Sequence, residues 1–376
     1  MNDLSERVKE LAGIAPNETP VVSVYLDTHW KDEQQRERTR VFLKNELAKA
    51  RDSAGGARLA ADLDWIRREA ETLIGRQHTP DVLGVALFGG GSRGLREILP
   101  VAAQFENAFV VADTPFLRPL LGLAGESLSA MVVFVDAKRA RLIPVTPQGA
   151  GEEITLEHEV AGHHRQGGWS LLAQSRYQRR MAEQRSQHLE AVAEYLESAM
   201  AGSPAGRVVL AGEVRAVATF RDLLEPGLRA RVAGEVSGTW YESGSELVQR
   251  AMDVLQASRQ REARAFVDTT LTEAAKGGRA AAGLSSVLQA LSRGAVHRLY
   301  LLETFREYGR ACATCGGLHT GDGPACRFCG KATRPVELGE RIAERVIGDG
   351  GTVEPLPEHA GLADAGGIAA ELRYAL

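Results

Sequence analysis

The chain has 376 residues, of which 44% are hydrophobic and 25% charged, the composition of a globular protein long enough for two or three domains. Its formal net charge of −4 argues against coating nucleic acid with the whole surface, so any RNA contact must come from local basic patches. No apolar run approaches the roughly 20 residues that span a bilayer, and the polar opening Met1–Arg7 has no apolar signal-peptide core, so the expectation is a cytoplasmic protein without membrane partners.

In chain order, the first part opens on an amphipathic helix and a strand at Val21–Leu26. Charged helices are predicted around Asp32–Arg51 and Arg58–Ile74, the latter with Leu and Ile at helical spacing. A second strand, Leu83–Phe88, runs into Gly89-Gly90-Gly91-Ser92-Arg93-Gly94. That string matches the dinucleotide fingerprint Gly-x-Gly-x-x-Gly, but Pro100 follows too soon for a phosphate-binding helix, so strand-turn-strand is predicted instead.

A restart follows Phe116–Leu121. Met131–Val135 and Arg141–Val145 flank Asp136–Arg139 and read as a hairpin opening a new domain. Another strand is predicted in Glu152–Val160, then a glycine turn, a long helix and a short buried strand at Arg207–Gly212. Strands alternating with helices make this middle part α/β. Between them, Gly167 and Gly168 permit close backbone approach and carry Trp169 between two basic clusters. His163, His164 and Arg165 precede the turn, and Arg176, Arg179 and Arg180 follow on one cationic helical face, suited to the planar, two-pronged recognition of phosphate by Arg. The bland alternative is a solvated helix entered through a loop. Ser170 with His163 or His164 lacks an orienting carboxylate, and nothing resembles Gly-x-Ser-x-Gly, so the histidines are assigned to RNA contact.

The third part is expected after an alanine- and glycine-rich connection, Thr272–Gly283. It comprises a helix at Leu284–Leu291, a strand at His297–Leu302, a helix at Leu338–Ile347, a strand at Gly351–Leu356 and an ending at Gly366–Tyr374, a small α/β sandwich. All four cysteines fall inside it, as Cys312-x-x-Cys315 and Cys326-x-x-Cys329, with Gly316 and Gly330 after the hooks. Two such hooks bring four thiolates to the corners of a tetrahedron, so a closed, structural zinc ribbon at 310–332 is predicted over a disulfide or a redox pair. His319 lies between the hooks and is not needed as a ligand.

The run Gly167-Gly168-Trp169-Ser170 followed by Arg176-Tyr177-Gln178-Arg179 resembles the glycine-glycine-glutamine loop and following helix of the archaeal and eukaryotic class-1 peptide-chain release factors. The closest resemblance is to their bacterial release-factor-like branch, related to Pelota-type rescue factors, release-factor-like peptidyl-tRNA hydrolases and hibernation factors. The resemblance covers Ser129–Asp268 and implies a ribonuclease H-like middle domain. The ending resembles the closing strand of an L30e-like third domain, which bears a zinc insertion in some members. The implied division is 1–125, 126–270 and 271–376. Trp169 stands where the release factors have glutamine, Leu171-Leu172-Ala173 look inserted before Gln174, and no Asn-Ile-Lys-Ser element of codon reading is found.

The resemblance implies a ribosome-associated factor binding rRNA, and P-site tRNA, in the A site region, with a companion translational GTPase as a further partner, in rescue or hibernation without stop-codon reading. Trp169 would stack on a base while the arginines engage phosphates. The alternative is a peptidyl-tRNA hydrolase, in which Gly167 and Gly168 would admit water to the ester and Gln166 or Gln174 would replace the missing glutamine.

Overall fold

The structure is a computed structural model, described over residues 4–16, 19–30, 32–53, 56–75, 82–123, 129–157, 171–201 and 206–376, with backbone only over 171–178. It divides into two compact units: Met1–Gly125 together with Gln260–Leu376, and Glu126–Arg259.

The N-terminal part of the first unit runs α1 (Leu4–Ala12), β1 (Val21–Asp27), α2 (Glu33–Asp52), α3 (Gly56–Gly75), β2 (Gly84–Gly90), β3 (Leu95–Val101), β4 (Ala108–Ala112) and the single turn α4 (Arg118–Leu121). The strands form an antiparallel sheet in the order β3-β2-β1-β4. Asp32 starts α2 by accepting the Gln35 N–H at 2.8 Å. Thr39, Leu43, Leu47 and Ala50 then repeat every three or four residues and turn one helical face inward. That face and the Leu59, Leu63, Ile66, Ala70 and Ile74 stripe of α3 cover Val22, Val24 and Leu26 of β1. In the Gly89–Gly94 string, Gly89 and Gly90 end β2, paired with Arg96 and Leu95 of β3, and Gly91–Arg93 form a 3-10 turn closed by Gly94 at φ +72°. It is the predicted strand-turn-strand.

The second unit runs β5 (Ala130–Val135), β6 (Arg139–Thr146), β7 (Gly149–Ala150), β8 (Ile154–Glu157), α5 (Leu171–Ala201), β9 (Arg207–Gly212), α6 (Val214–Leu223), α7 (Pro226–Arg229), β10 (Val232–Ser237) and α8 (Gly244–Ala275), which continues past Arg259 into the first unit. β8 pairs antiparallel with β6, β6 with β5, and β5 and β10 flank β9 in parallel, the strand order of a ribonuclease H-like sheet. Side chains of β5 alternate: Met131, Val133 and Val135 pack with α5 and α6, whereas Ala130, Val132 and Phe134 pack with the first half of α8.

The chain then adds β11 (Ala280–Ala282), α9 (Leu284–Ser292), β12 (Val296–Leu302), β13 (Tyr308–Cys312), β14 (Leu318–Thr320), β15 (Thr333–Glu337), α10 (Leu338–Gly348), β16 (Thr352–Leu356), α11 (Ala360–Asp364) and β17 (Ile368–Leu372). One sheet has the order β11-β17-β12-β16, and a small one the order β14-β13-β15. The expected connection Thr272–Gly283 is different: α8 continues to Ala275, and Ala280–Ala282 pair with β17. Alanine suits a helix as well as a linker, and the strand exists only because Glu371–Ala369 lie opposite it.

The two ends of the chain share one core. Tyr25, Phe88, Leu117 and Leu120 belong to the same buried cluster as Val267, Leu299, Tyr300, Ile342 and Ile368. Around it, the half-buried Arg118 donates to the carbonyls of Leu302 (3.1 Å), Glu303 (3.0 Å) and Phe305 (2.8 Å) and pairs with Glu340 at 3.3 Å. Arg341 donates to Thr114 and to Glu344, both at 2.8 Å, and pairs with Asp113.

Candidate functional site

Two regions carry the predicted chemistry. The first is the segment between β8 and α5. β8 ends at Glu157, opposite Arg139 of β6, and α5 begins at Leu171. His163, His164, Arg165, Gln166, Gly167, Gly168 and Trp169 lie outside the described residues. Gln174 and Arg176 belong to the first turns of α5, where only the backbone is described. Arg179 and Arg180 are exposed on the same helix.

Burial shows how α5 holds this end. Leu189, Val192, Leu196 and Met200, at helical spacing, seat the C-terminal half of the helix in the core with His188. From Arg179 to Gln187 every residue is exposed except Met181 and Gln184, which are half-buried. This stretch, about 13 Å at 1.5 Å per residue, therefore stands clear of the unit's own core. A helix anchored at one end and cationic toward the other can present guanidinium groups to phosphate without unfolding anything.

The second region is the cysteine cluster. The four Sγ atoms lie within 4.8 Å of one another, with Cys312 to Cys329 and Cys315 to Cys326 both at 3.5 Å. Four sulfurs at about 2.3 Å from one zinc would be roughly 3.8 Å apart, so the thiols fit a tetrahedral cation. Disulfides are absent among them.

Both hooks fold alike. The Cys312 N–H donates to Gly317 O (2.9 Å) and the Gly316 N–H to Cys312 O (2.9 Å); Cys326 N–H donates to Lys331 O (2.7 Å) and Gly330 N–H to Cys326 O (2.9 Å). Gly316 and Gly330 have φ of +69° and +72°, the left-handed turn for which glycine stands there. The turns aim backbone N–H groups at sulfur. Those of Cys315 and Thr314 lower the Cys312 thiol to about 6, whereas at Cys315 the Gly317 N–H is outweighed by the neighbouring sulfurs, which push the thiol up to about 12. Crowded thiols that share protons in this way release them to a divalent cation.

His319 was legible as a residue between the hooks but not as a partner. Its Nε2 lies 3.2 Å from Cys326 Sγ, its ring packs 5.2 Å from Phe328, and burial, then Arg327, keeps it below the usual imidazole range. In the tautomer with its proton on Nε2, the neutral ring would donate to the Cys326 sulfur and support a ligand from outside the ligand set. The signal was its register: His319 sits opposite Arg310 of β13, the strand that delivers Cys312.

Residues 115–256 match the family model described as "Bacterial archaeo-eukaryotic release factor family 10". The middle unit is a domain of the bacterial archaeo-eukaryotic release-factor-like family. The release-factor-like match spans the whole β5–β10 sheet and the start of α8, so it includes both ends of the segment that carries Gly167 and Gly168. No curated protein matches the sequence. Among solved structures, an archaeal translation termination factor aRF1 is 18% identical, with 99% of this chain and 97% of that chain covered and a TM-score of 0.28. Archaeoglobus fulgidus Pelota is 15% identical over 100% and 93%, with a TM-score of 0.39. An archaeal Pelota from a model of ribosome-bound Pelota and ABCE1 is 16% identical over 99% and 94%, with a TM-score of 0.42. Among the described residues no helix is long and apolar enough to cross a membrane.

Proposed function

We propose that this protein is a ribosome-associated, release-factor-like translation factor that sets its middle unit in the A site region, against rRNA or P-site tRNA, in ribosome rescue or hibernation and without reading a stop codon. The observation that carries this reading is the family match over residues 115–256, on a ribonuclease H-like sheet whose α5 stands clear of its own core with Arg179 and Arg180 exposed. Gly167-Gly168-Trp169 precede that helix in sequence, and stacking by Trp169 with phosphate contacts from Arg165, Arg176, Arg179 and Arg180 suits binding better than catalysis. An indole cannot deliver the amide of the release-factor glutamine. The four cysteines hold one structural zinc, closed to water and therefore without a catalytic share.

Sedimentation with 70S ribosomes, followed by a cryo-EM map of the complex, tests the reading. Density for the middle unit in the A site region is expected, and a protein that stays in the supernatant at low salt would refute it. Release of peptide from peptidyl-tRNA in single turnover, lost in Gln174→Ala or Gln166→Ala with binding retained, would replace binding by hydrolysis.

A further inference from the structure

The middle unit carries a second cationic and aromatic surface, at the end of the sheet where β5, β9 and β10 finish. Val135 pairs with Gly212 and Gly212 with Ser237, so the turns that follow these strands lie side by side. The first turn is fixed by Asp136, whose Oδ1 accepts the N–H groups of Lys138 and Arg139, both at 2.8 Å. The third is fixed at both ends: the Thr239 N–H donates to Glu242 Oε2 at 3.2 Å, Arg141 donates to Glu242 O at 2.9 Å, and Ser243 with Glu246 cap α8 reciprocally.

What these anchors hold out is Tyr241, 91% exposed. Behind it the Arg139 guanidinium lies 4.1 Å from the centroid of Trp240 and 6.0 Å from that of Tyr241. A bare aromatic ring on a braced loop gains nothing for the fold, since its apolar area stays in water. The nearby acids are spoken for: Asp136 by its turn and Arg139, Glu242 by Arg250, and Glu213 by the N–H of Ala216. Lys138, exposed on the turn after β5, and Arg215, exposed in the first turn of α6 after β9, have no carboxylate partner among the described residues. Neutralised acids and spare cations around a ring favour a polyanion that carries flat bases.

We infer that Tyr241, backed by Arg139 and Trp240, is a stacking platform for an unpaired RNA base, with Lys138 and Arg215 meeting the flanking phosphates. This deepens the ribosome-associated reading by naming a second RNA contact on the same unit, built entirely outside the Gly-Gly-Trp segment. One base on one ring with two phosphates is a contact tolerant of sequence.

The test uses the full chain and a fluorescein-labelled single-stranded oligoadenylate of 12 nucleotides, read by anisotropy across salt. Tyr241→Ala is expected to weaken binding about tenfold or more, Tyr241→Phe to leave it unchanged, and Lys138→Ala with Arg215→Ala to lower the salt slope by about 1.4. Because the ring is solvent-exposed, an unaltered melting curve accompanies each change. Equal affinity of wild type and Tyr241→Ala overturns the platform. So does a wild type that sediments with ribosomes yet ignores the oligonucleotide, which would point to a protein partner at this surface. Oligonucleotide binding lost with Tyr241, in a protein that never sediments with ribosomes, would instead retire the ribosome reading and keep the platform.

Discussion

Glu340 shows how one side chain sets the behaviour of the junction it sits in. Its carboxyl pairs with Arg118 at 3.3 Å, yet burial raises it to about 7 and Glu337 and Glu344 add repulsion, because Arg118 also serves three carbonyls. A carboxyl raised in the folded state from 4.5 contributes stability that is complete below about pH 4.5 and is lost as pH rises to about 7. Glu340→Gln, which keeps a hydrogen bond without the charge, should therefore stabilise the protein at pH 7.5, by on the order of 2–3 kcal/mol, and bring no gain at pH 4.5. Urea unfolding of both proteins at the two pH values measures this; an equal difference at both would contradict it. Cys312 makes the opposite case, a residue whose partner is a cation. The ribbon buries little of its own beyond Ala311, Cys312, Cys326 and His319, so the metal must replace a core. One zinc per chain is expected by metal analysis, and Cys312→Ser should lose it and unfold the ribbon, since zinc in comparable peptides is worth about 10–16 kcal/mol. Protein purified without chelator and free of zinc would defeat the assignment.

At the scale of elements, α5 links burial to function. If its exposed half meets RNA phosphates, Arg179→Ala with Arg180→Ala should weaken sedimentation with ribosomes and reduce its salt slope by about one to two, as fewer counterions are released. An unchanged slope would return α5 to a merely solvated helix. Elements of this kind were legible because their pattern is local: β1, β2, α3 and the β5–β6 hairpin stand where apolar spacing placed them, and both cysteine hooks folded as their glycines required. Elements defined by a distant partner were not. β4 is only half-buried, and it is a strand because Val21–Tyr25 lie opposite Ala112–Ala108, far back in the chain. The long α8 was obscured for a different reason: it serves the middle sheet with Leu247, Ala251 and Leu255 and the other unit's core with Ala263 and Val267, so it has no single apolar stripe. Tyr241 and Trp240 were missed because a lone aromatic pair in a loop has no period, and only pairing at the sheet's end brings Arg139 beneath them.

At the scale of the whole molecule, the second unit owns its cores and the first unit is made from both ends of the chain. A fragment of residues 126–259 should therefore fold alone with a cooperative melt, whereas 260–376 expressed without 1–125 should expose the faces of Leu299, Ile342 and Ile368 and bind hydrophobic dye. A dye-silent, well-melting C-terminal fragment would show that the shared core is dispensable. The shared core also sets a timetable. A nascent chain emerges from its N-terminus at about 5–20 residues per second, so Tyr25 and Phe88 must wait for Leu299 and Ile368, made last, before their side of the sheet is covered. The segment synthesised second is thus free to fold first, and the segment synthesised first is completed only at the end. That interval, more than any property of the finished protein, is when holdase chaperones would have something to bind.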